Sequence, residues 1–126
     1  PLVNGAGQTG STLVCDGFTL STTGVVKAGA TFTLTGVNSV NPTSRTDTGQ
    51  LAQFTVTADA NSDGSGNVTL SISPAIVLTG PYQTVTASPA NNASLTFNKS
   101  HNVNIAYHRE AFALSIVKLP VMPRTG

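Results

Sequence analysis

Short stretches in which apolar and polar side chains alternate run through most of this 126-residue chain. Alternation with a period of two places every second side chain on one face, which indicates a half-buried β-strand. The pattern predicts strands over 12–20, 31–37, 53–58, 67–73, 82–87, 94–98 and 114–118. Their apolar members are expected to share one core, which comprises Phe32, Leu34, Phe54, Val56, Leu70, Ile72, Phe97, Phe112 and Ile116.

Six to eight short strands separated by turn signals predict an all-β fold, either an antiparallel barrel or a sandwich. A barrel is favoured because closure removes sheet edges, and only 9% of the residues are charged and available to protect such edges. The length fits one domain over 1–126, with the barrel over 12–120 and a tail over 121–126. Because the chain begins at Pro1 and not at Met, we expect it to be part of a longer protein.

Three segments depart from the strand pattern. Residues 1–11 are glycine-rich and uncharged, which predicts an exposed arm, and 38–50 predict a long polar loop, a length that is usually functional. Residues 59–67 predict a turn that joins two strands as a hairpin. In 104–113 apolar residues recur three or four positions apart, which predicts one short helix that must dock on the barrel to be stable.

The composition excludes several classes of function. Six Lys/Arg and five Asp/Glu give a net charge of +1, without the clustered cations of a nucleic-acid-binding protein. No apolar run is long enough to span a membrane. Cys15 is the single cysteine, so an internal disulfide is impossible, and its apolar neighbours predict a small buried side chain.

A calcium site is the first chemical candidate. Asp59, Asn61 and Asp63, followed by Gly64, match the opening of a calcium-binding loop, because oxygen ligands at alternate positions suit Ca²⁺. The twelfth position is Leu70, where such a loop needs a bidentate Glu. A hairpin turn is therefore the favoured interpretation of these residues, and the metal site a weak alternative.

No set of residues predicts catalysis. His108, Arg109 and Glu110 are adjacent and His101 lies seven positions earlier, but the two histidines lack the spacing of a zinc-binding helix. The chain also contains no nucleophile-elbow motif and no phosphate-binding loop. We therefore expect no enzyme activity, no cofactor and no small-molecule substrate.

Longer stretches are similar to a known protein family. They are "PLVNGAGQTGSTLVCDGFT" at the start, "VKAGATFTLTGVNSVNP" at 26–42, "TGQLAQFTVTADANSDGSGNVTLSISPAI" at 48–76, "GPYQTVTASPANNASL" at 80–95 and "NIAYHREAFALSIVKLP" at 104–120. Together they resemble the major capsid (coat) protein family of short-tailed Salmonella-type phages and related prophages. The most specific parts are "AGATFTLTGV" and "AYHREAFAL", whose order and spacing carry the resemblance.

The resemblance implies that the chain is the inserted, accessory β-barrel domain of such a coat protein. In the family this domain aids coat folding, steadies the subunit and contacts neighbouring subunits through loops. The implied partners are other copies of the coat protein in the virion capsid, assembled in the host bacterial cytoplasm. Neither nucleic acid nor a membrane is an expected partner, and the isolated domain is expected to be monomeric.

The resemblance also implies where the contacts lie. By position, 2–11 resembles the loop that reaches a neighbouring capsomer, and 38–50 resembles the loop that influences capsid size. The implied contact residues are Leu2, Val3, Asn4, Gln8, Thr9, Arg45, Asp47 and Gln50. The best-known family member uses charged contacts in its reaching loop, whereas residues 1–15 of this chain contain no charged side chain.

The alternative function is that of an immunoglobulin-like adhesin or surface binding module, stabilised by calcium. Its support is the Thr-, Asn- and Ser-rich composition, the partial calcium motif, and three glycosylation sequons that begin at Asn67, Asn92 and Asn98. The response of the melting temperature to Ca²⁺ distinguishes the two functions.

Overall fold

The computed structural model describes residues 1–98, which form six β-strands and no helix. Alternating buried and exposed positions along each strand account for these elements, as the sequence pattern predicts. The strands are β1 Leu2–Val3, β2 Gly10–Asp16, β3 Thr31–Val40, β4 Asp47–Val56, β5 Val68–Ile76 and β6 Leu95–Phe97. The predicted helix at 104–113 and strand at 114–118, with Phe112 and Ile116, lie outside the described residues.

All neighbouring strands are antiparallel, in the order β1-β2-β5-β4-β3-β6. The two ends of this sheet meet, because Leu2 forms a bridge with Ser94 just before β6. The backbone N–H of Val3 donates to the Ala93 carbonyl at 2.9 Å, and that of Leu95 donates to the Pro1 carbonyl at 3.1 Å. The sheet is therefore a nearly closed barrel, which confirms the predicted antiparallel all-β barrel.

Strand direction divides the connections between two ends of the barrel. Because all pairings are antiparallel, the turn 41–46 and the segment 77–94 lie at one end, which we call the loop end. The loop 4–9 begins on the barrel wall, where Asn4 bonds to Asn67, and leads to the loop end at Gly10. Pro1, the connections 17–30 and 57–67, and Asn98 lie at the opposite end, which we call the base. At the base, the two connections are held together by a bridge between Val26 and Ala60.

The interior is packed by apolar side chains from all six strands. Phe32 and Phe54 are fully buried and face each other across β3 and β4, with ring centroids 5.7 Å apart. Phe97 lies on the other side of Phe32 at 5.4 Å but is only half-buried. The remaining expected core residues within the described chain are also buried, namely Leu34, Val56, Leu70 and Ile72.

The prediction of a long polar loop over 38–50 is wrong for most of its length, because β3 continues to Val40 and β4 begins at Asp47. The physical reason is a change of phase in β3. Gly36 has φ of 79°, and beyond it the buried positions shift from Phe32 and Leu34 to Val37 and Val40. A pattern of one fixed period does not show that β3 and β4 continue to pair beyond Gly36. The turn between the two strands is therefore 41–46.

The predicted arm over 1–11 is also wrong at both of its ends. Leu2 and Val3 form β1, and Gly10 begins β2, so the exposed loop is only 4–9. The predicted strand 12–20 also ends too late. β2 stops at Asp16, because Gly17 follows with φ of 73°. The predicted strand over 82–87 is reduced to a single bridge between Ser39 and Val85.

Candidate subunit-contact surface

The loop 4–9 is shaped by the side chain of Gln8. Its Nε2 donates to the carbonyls of Asn4 at 3.0 Å, Gly5 at 3.1 Å and Val14 at 2.9 Å. Its Oε1 accepts from the N–H of Val14 at 2.7 Å. The Gln8 amide therefore pairs with Val14 as a neighbouring strand would, and satisfies the Val14 N–H, while the Val14 carbonyl also accepts from the Asn4 N–H at 3.0 Å.

Further hydrogen bonds attach this loop to the rest of the barrel. The N–H of Gly5 donates to Asn91 Oδ1 at 2.8 Å, and the N–H of Gly7 donates to the Pro89 carbonyl at 3.1 Å. Asn4 Nδ2 donates to Asn67 Oδ1 at 3.2 Å. The uncharged loop is thus an ordered, exposed surface whose shape is set by side-chain amides.

The β3–β4 turn at 41–46 is organised by Asn41. Its Oδ1 accepts from the N–H groups of Thr43 at 2.9 Å and Ser44 at 3.2 Å, which is the hydrogen-bond pattern of an Asx turn. The N–H of Arg45 donates to the Asn41 carbonyl at 2.9 Å, and Arg45 has φ of 60°. These bonds fix the backbone that presents Arg45 at the loop end.

Arg45 and Asp47 give this turn opposite charges two positions apart. Asp47 Oδ1 accepts from the Gly49 N–H at 2.7 Å and Oδ2 accepts from Asn38 Nδ2 at 3.0 Å. These bonds, that from Gly49 above all, lower the pKa of the Asp47 carboxyl, so the charge persists in mild acid. Within residues 1–98 the one ion pair joins Lys27 to Asp59 at the base of the barrel. Arg45 therefore has no carboxylate partner in this part of the chain.

A shallow groove of about 630 Å³ lies beside the turn. Val40, Pro42 and Arg45 form one wall, and the segment after β5 forms the other. Tyr82 on that segment is 82% exposed, an unusual state for an aromatic side chain. The turn and the groove together form an exposed surface with one cation, one anion and one aromatic ring.

The predicted contact residues fall into different environments. Thr9, Asp47 and Gln50 are exposed at the loop end, and Leu2 is 39% exposed on the barrel wall. Val3 is fully buried in the core, so its side chain is not exposed for the predicted contact. The side-chain amide of Asn4 is bonded to Asn67, and that of Gln8 is bonded to the backbone of Asn4, Gly5 and Val14.

Two residues of the loop end were missed by the sequence reasoning. The pattern places Tyr82 in the predicted strand 82–87, although its position after Gly80-Pro81 is typical of a turn. Asn91 lies in a turn-forming stretch, and its bond to Gly5 joins residues 86 positions apart. No local pattern indicates a contact of that range.

The three candidate calcium ligands act as turn residues at the base. Asp59 binds the Ala28 N–H and Lys27 Nζ, and Asn61 Oδ1 accepts from the Gly24 N–H. Asp63 accepts from the N–H groups of Ser65 and Asn67 and from Asn67 Nδ2. The side-chain oxygens that would have to bind a metal therefore already accept hydrogen bonds from N–H groups of the protein. Residues 1–98 also contain no cluster of three His, Cys, Asp or Glu side chains.

Cys15 is buried in the barrel wall. Burial, and secondarily the charge of Asp16, raises the pKa of its thiol to about 12, so the nucleophilic thiolate is suppressed at neutral pH. In the described part of the chain, no helix has the length and apolar character needed to cross a membrane.

Comparison with known proteins completes this description. A search of curated proteins finds no match. The family described as "P22 coat protein - gene protein 5" matches residues 10–126, which is most of the chain and confirms the resemblance expected from its sequence. Coat proteins are structural subunits that assemble with other copies into the capsid of the virion. The chain therefore belongs to the P22 coat protein family and has a structural role in a phage capsid.

Proposed function

We propose that this chain is the accessory β-barrel domain of its coat protein, and that its loop end contacts neighbouring subunits. The observation that carries the proposal is the division of the barrel into two ends. The turn 41–46 and the upper end of 4–9 lie at the loop end, opposite the connections 17–30 and 57–67 at the base. Loops held at one end of a rigid barrel are a common place for contacts with other proteins.

The charges at 41–46 supply the polar part of the proposed contact. Arg45 is half-exposed and Asp47 is exposed, so each can meet an opposite charge on another subunit. An exposed ion pair contributes only about 0–1 kcal/mol. The isolated domain is therefore monomeric, and the contact becomes effective through the many copies in a closed capsid.

The loop 4–9 supplies a neutral contact. Thr9 and the edge residue Leu2 are exposed, while Gln8 holds the loop in a fixed shape. A loop that is already ordered loses less entropy when it binds than a flexible one. Ordering by Gln8 thus replaces the charged contacts of the reaching loop in the best-known family member.

The continuous core supports the proposed role in coat folding and in steadying the subunit. Buried side chains from every strand form one cluster, so the barrel can fold before the remainder of a long coat chain is assembled. Folding and assembly in the host bacterial cytoplasm are part of this proposal.

The test uses the complete coat protein that contains this chain. Arg45→Ala and Asp47→Ala are expected to leave the subunit soluble and folded but to change the yield or size of assembled particles, seen by gradient sedimentation and electron microscopy. Thr69→Ala is the matched control, since Thr69 is exposed on the barrel wall, two strands away from β3 and distant from the turn 41–46. Normal particles from both loop-end variants would contradict the proposed contact.

A further inference from the structure

Asn4-Gly5 is the one place in the sequence where Gly follows Asn. In such a pair the backbone nitrogen of the glycine can attack the side-chain amide of the asparagine, because glycine has no side chain to hinder the approach. Both residues are exposed, and Gly5 has φ of 99° with open space around it. The pair is therefore accessible to water and has the chemistry for spontaneous deamidation.

The reaction needs water alone as co-reactant. The Gly5 nitrogen loses its proton and forms a bond to Cγ of Asn4, while the bond from Cγ to Nδ2 breaks and ammonia leaves with that proton. The product is a cyclic succinimide. Water then opens the ring at either carbonyl and gives aspartate or isoaspartate at position 4, with no oxidation or reduction.

In the folded barrel each of the reacting groups is hydrogen-bonded to another residue. The N–H of Gly5 donates to Asn91 Oδ1 at 2.8 Å, so the nucleophile is bound to an amide oxygen that is too weak a base to remove its proton. The leaving group, Asn4 Nδ2, donates to Asn67 Oδ1 at 3.2 Å. Gln8 Nε2 also donates to both carbonyls, those of Asn4 and Gly5, which restricts rotation of the peptide between them.

We propose that Asn4-Gly5 is a deamidation site that Asn91 keeps closed in the folded barrel. The reaction proceeds from molecules in which the loop 4–9 has opened, so its rate reports how often the loop opens. Deamidation replaces the Asn4 donor with a carboxylate, which cannot donate to Asn67 Oδ1 and places a charge in an uncharged loop. This inference does not depend on the proposed contact between subunits.

The test measures deamidation of residue 4 by peptide mapping with mass spectrometry, in the full chain at mildly alkaline pH. We expect Asn91→Ala to accelerate the reaction about three- to tenfold, the range that loss of one neutral hydrogen bond gives. Wild-type protein in urea is expected to react faster than folded wild-type protein. That comparison needs no variant, so it holds even where Asn91→Ala fails to fold.

Asn61→Ala is the matched control. Its Oδ1 also accepts from a glycine N–H, that of Gly24, but at the base of the barrel. This variant is expected to deamidate at position 4 at the wild-type rate. Equal acceleration in both variants, no acceleration in Asn91→Ala, or equal rates in folded and urea-unfolded wild-type protein would each overturn the proposal.

Discussion

Phe32 shows how a single residue connects half of the barrel. Its ring lies between those of Phe54 on β4 and Phe97 on β6, at centroid distances of 5.7 and 5.4 Å. Phe32 and Phe54 are fully buried, whereas Phe97 packs at the edge of the core. The three rings of this cluster are therefore expected to contribute different amounts to the free energy of unfolding.

Phe32→Ala or Phe54→Ala is expected to lower the free energy of unfolding by about 3–5 kcal/mol, because each leaves a cavity in a closed core. Phe97→Ala should cost less, since part of that ring already contacts water. Urea unfolding of the three variants measures this order. Gln53→Ala is the control, because Gln53 is exposed beside Phe54, and its effect should stay within about 0.5 kcal/mol.

Gln8 is the polar residue with the largest structural role in the loop 4–9. Gln8→Ala removes four hydrogen bonds and leaves the Val14 N–H without its partner, while the Val14 carbonyl keeps the Asn4 N–H. We expect a loss of about 1–3 kcal/mol and faster hydrogen exchange of the Val14 amide. Thr9→Ala, one residue along the same loop, should change neither quantity, and equal effects of the two variants would contradict the role of Gln8.

At the scale of elements, the connections at the base are joined by side-chain oxygens in addition to the backbone bridge between Val26 and Ala60. The connection 57–67 holds 17–30 through bonds such as Gly24 N–H to Asn61 Oδ1 at 2.6 Å and Thr22 N–H to Ser62 Oγ at 2.8 Å. Residues that resemble a calcium motif in sequence thus bind backbone N–H groups in the fold.

Calcium is therefore expected to have no effect on the barrel. The melting temperature should be the same with millimolar Ca²⁺ and with EDTA, because the side chains of Asp59, Asn61 and Asp63 already bind protein donors. Differential scanning fluorimetry measures this directly. A rise of several degrees with Ca²⁺ would instead favour the adhesin alternative.

Acid should weaken the same connection. Hydrogen bonds from the Asn67 side chain, and then from the N–H groups of Asn67 and Ser65, lower the pKa of Asp63 below its ordinary range. A lowered folded-state pKa adds stability that is present above the unfolded value and is lost as pH falls through the folded value. We expect a steady melting temperature at neutral pH and a decline below about pH 4. Asp63→Asn should reduce that decline. If the melting temperature of this variant fell with pH as steeply as that of the wild type, Asp63 would not be the cause of the decline.

At the scale of the whole molecule, closure depends on the shortest strand. β1 contains two residues, yet it pairs with β2 and bonds to the chain just before β6. Closure by β1 removes the free edges that β2 and β6 would otherwise expose, which matters in a chain with few charges.

Removal of residues 1–3 is therefore expected to lower the melting temperature and to cause concentration-dependent association through the exposed edges. The intact chain should give a single cooperative melt and sediment as a monomer. Circular dichroism and analytical ultracentrifugation of both forms measure these outcomes. A truncated chain as stable and as monomeric as the intact one would show that β1 does not close the barrel.

The alternating pattern alone determined that residues 1–98 are all-β, and it placed six of the core side chains. A strand with one buried face shows apolar and polar residues in alternation along the sequence. This alternation correctly places in the core Phe32, Leu34, Phe54, Val56, Leu70 and Ile72. The quoted stretches gave the family, and the tertiary structure adds nothing to that identification.

The tertiary structure alone decided where the strands change phase, what closes the barrel and which loops share an end. The shift at Gly36, the buried position of Val3 and the bond from Gly5 to Asn91 depend on partners far along the chain. Burial depends on the whole fold, whereas periodicity reports only neighbours in sequence. Leu2 and Val3, which the pattern predicts in an exposed arm, are therefore part of the barrel wall, because β1 pairs with β2 and bonds to the chain near β6.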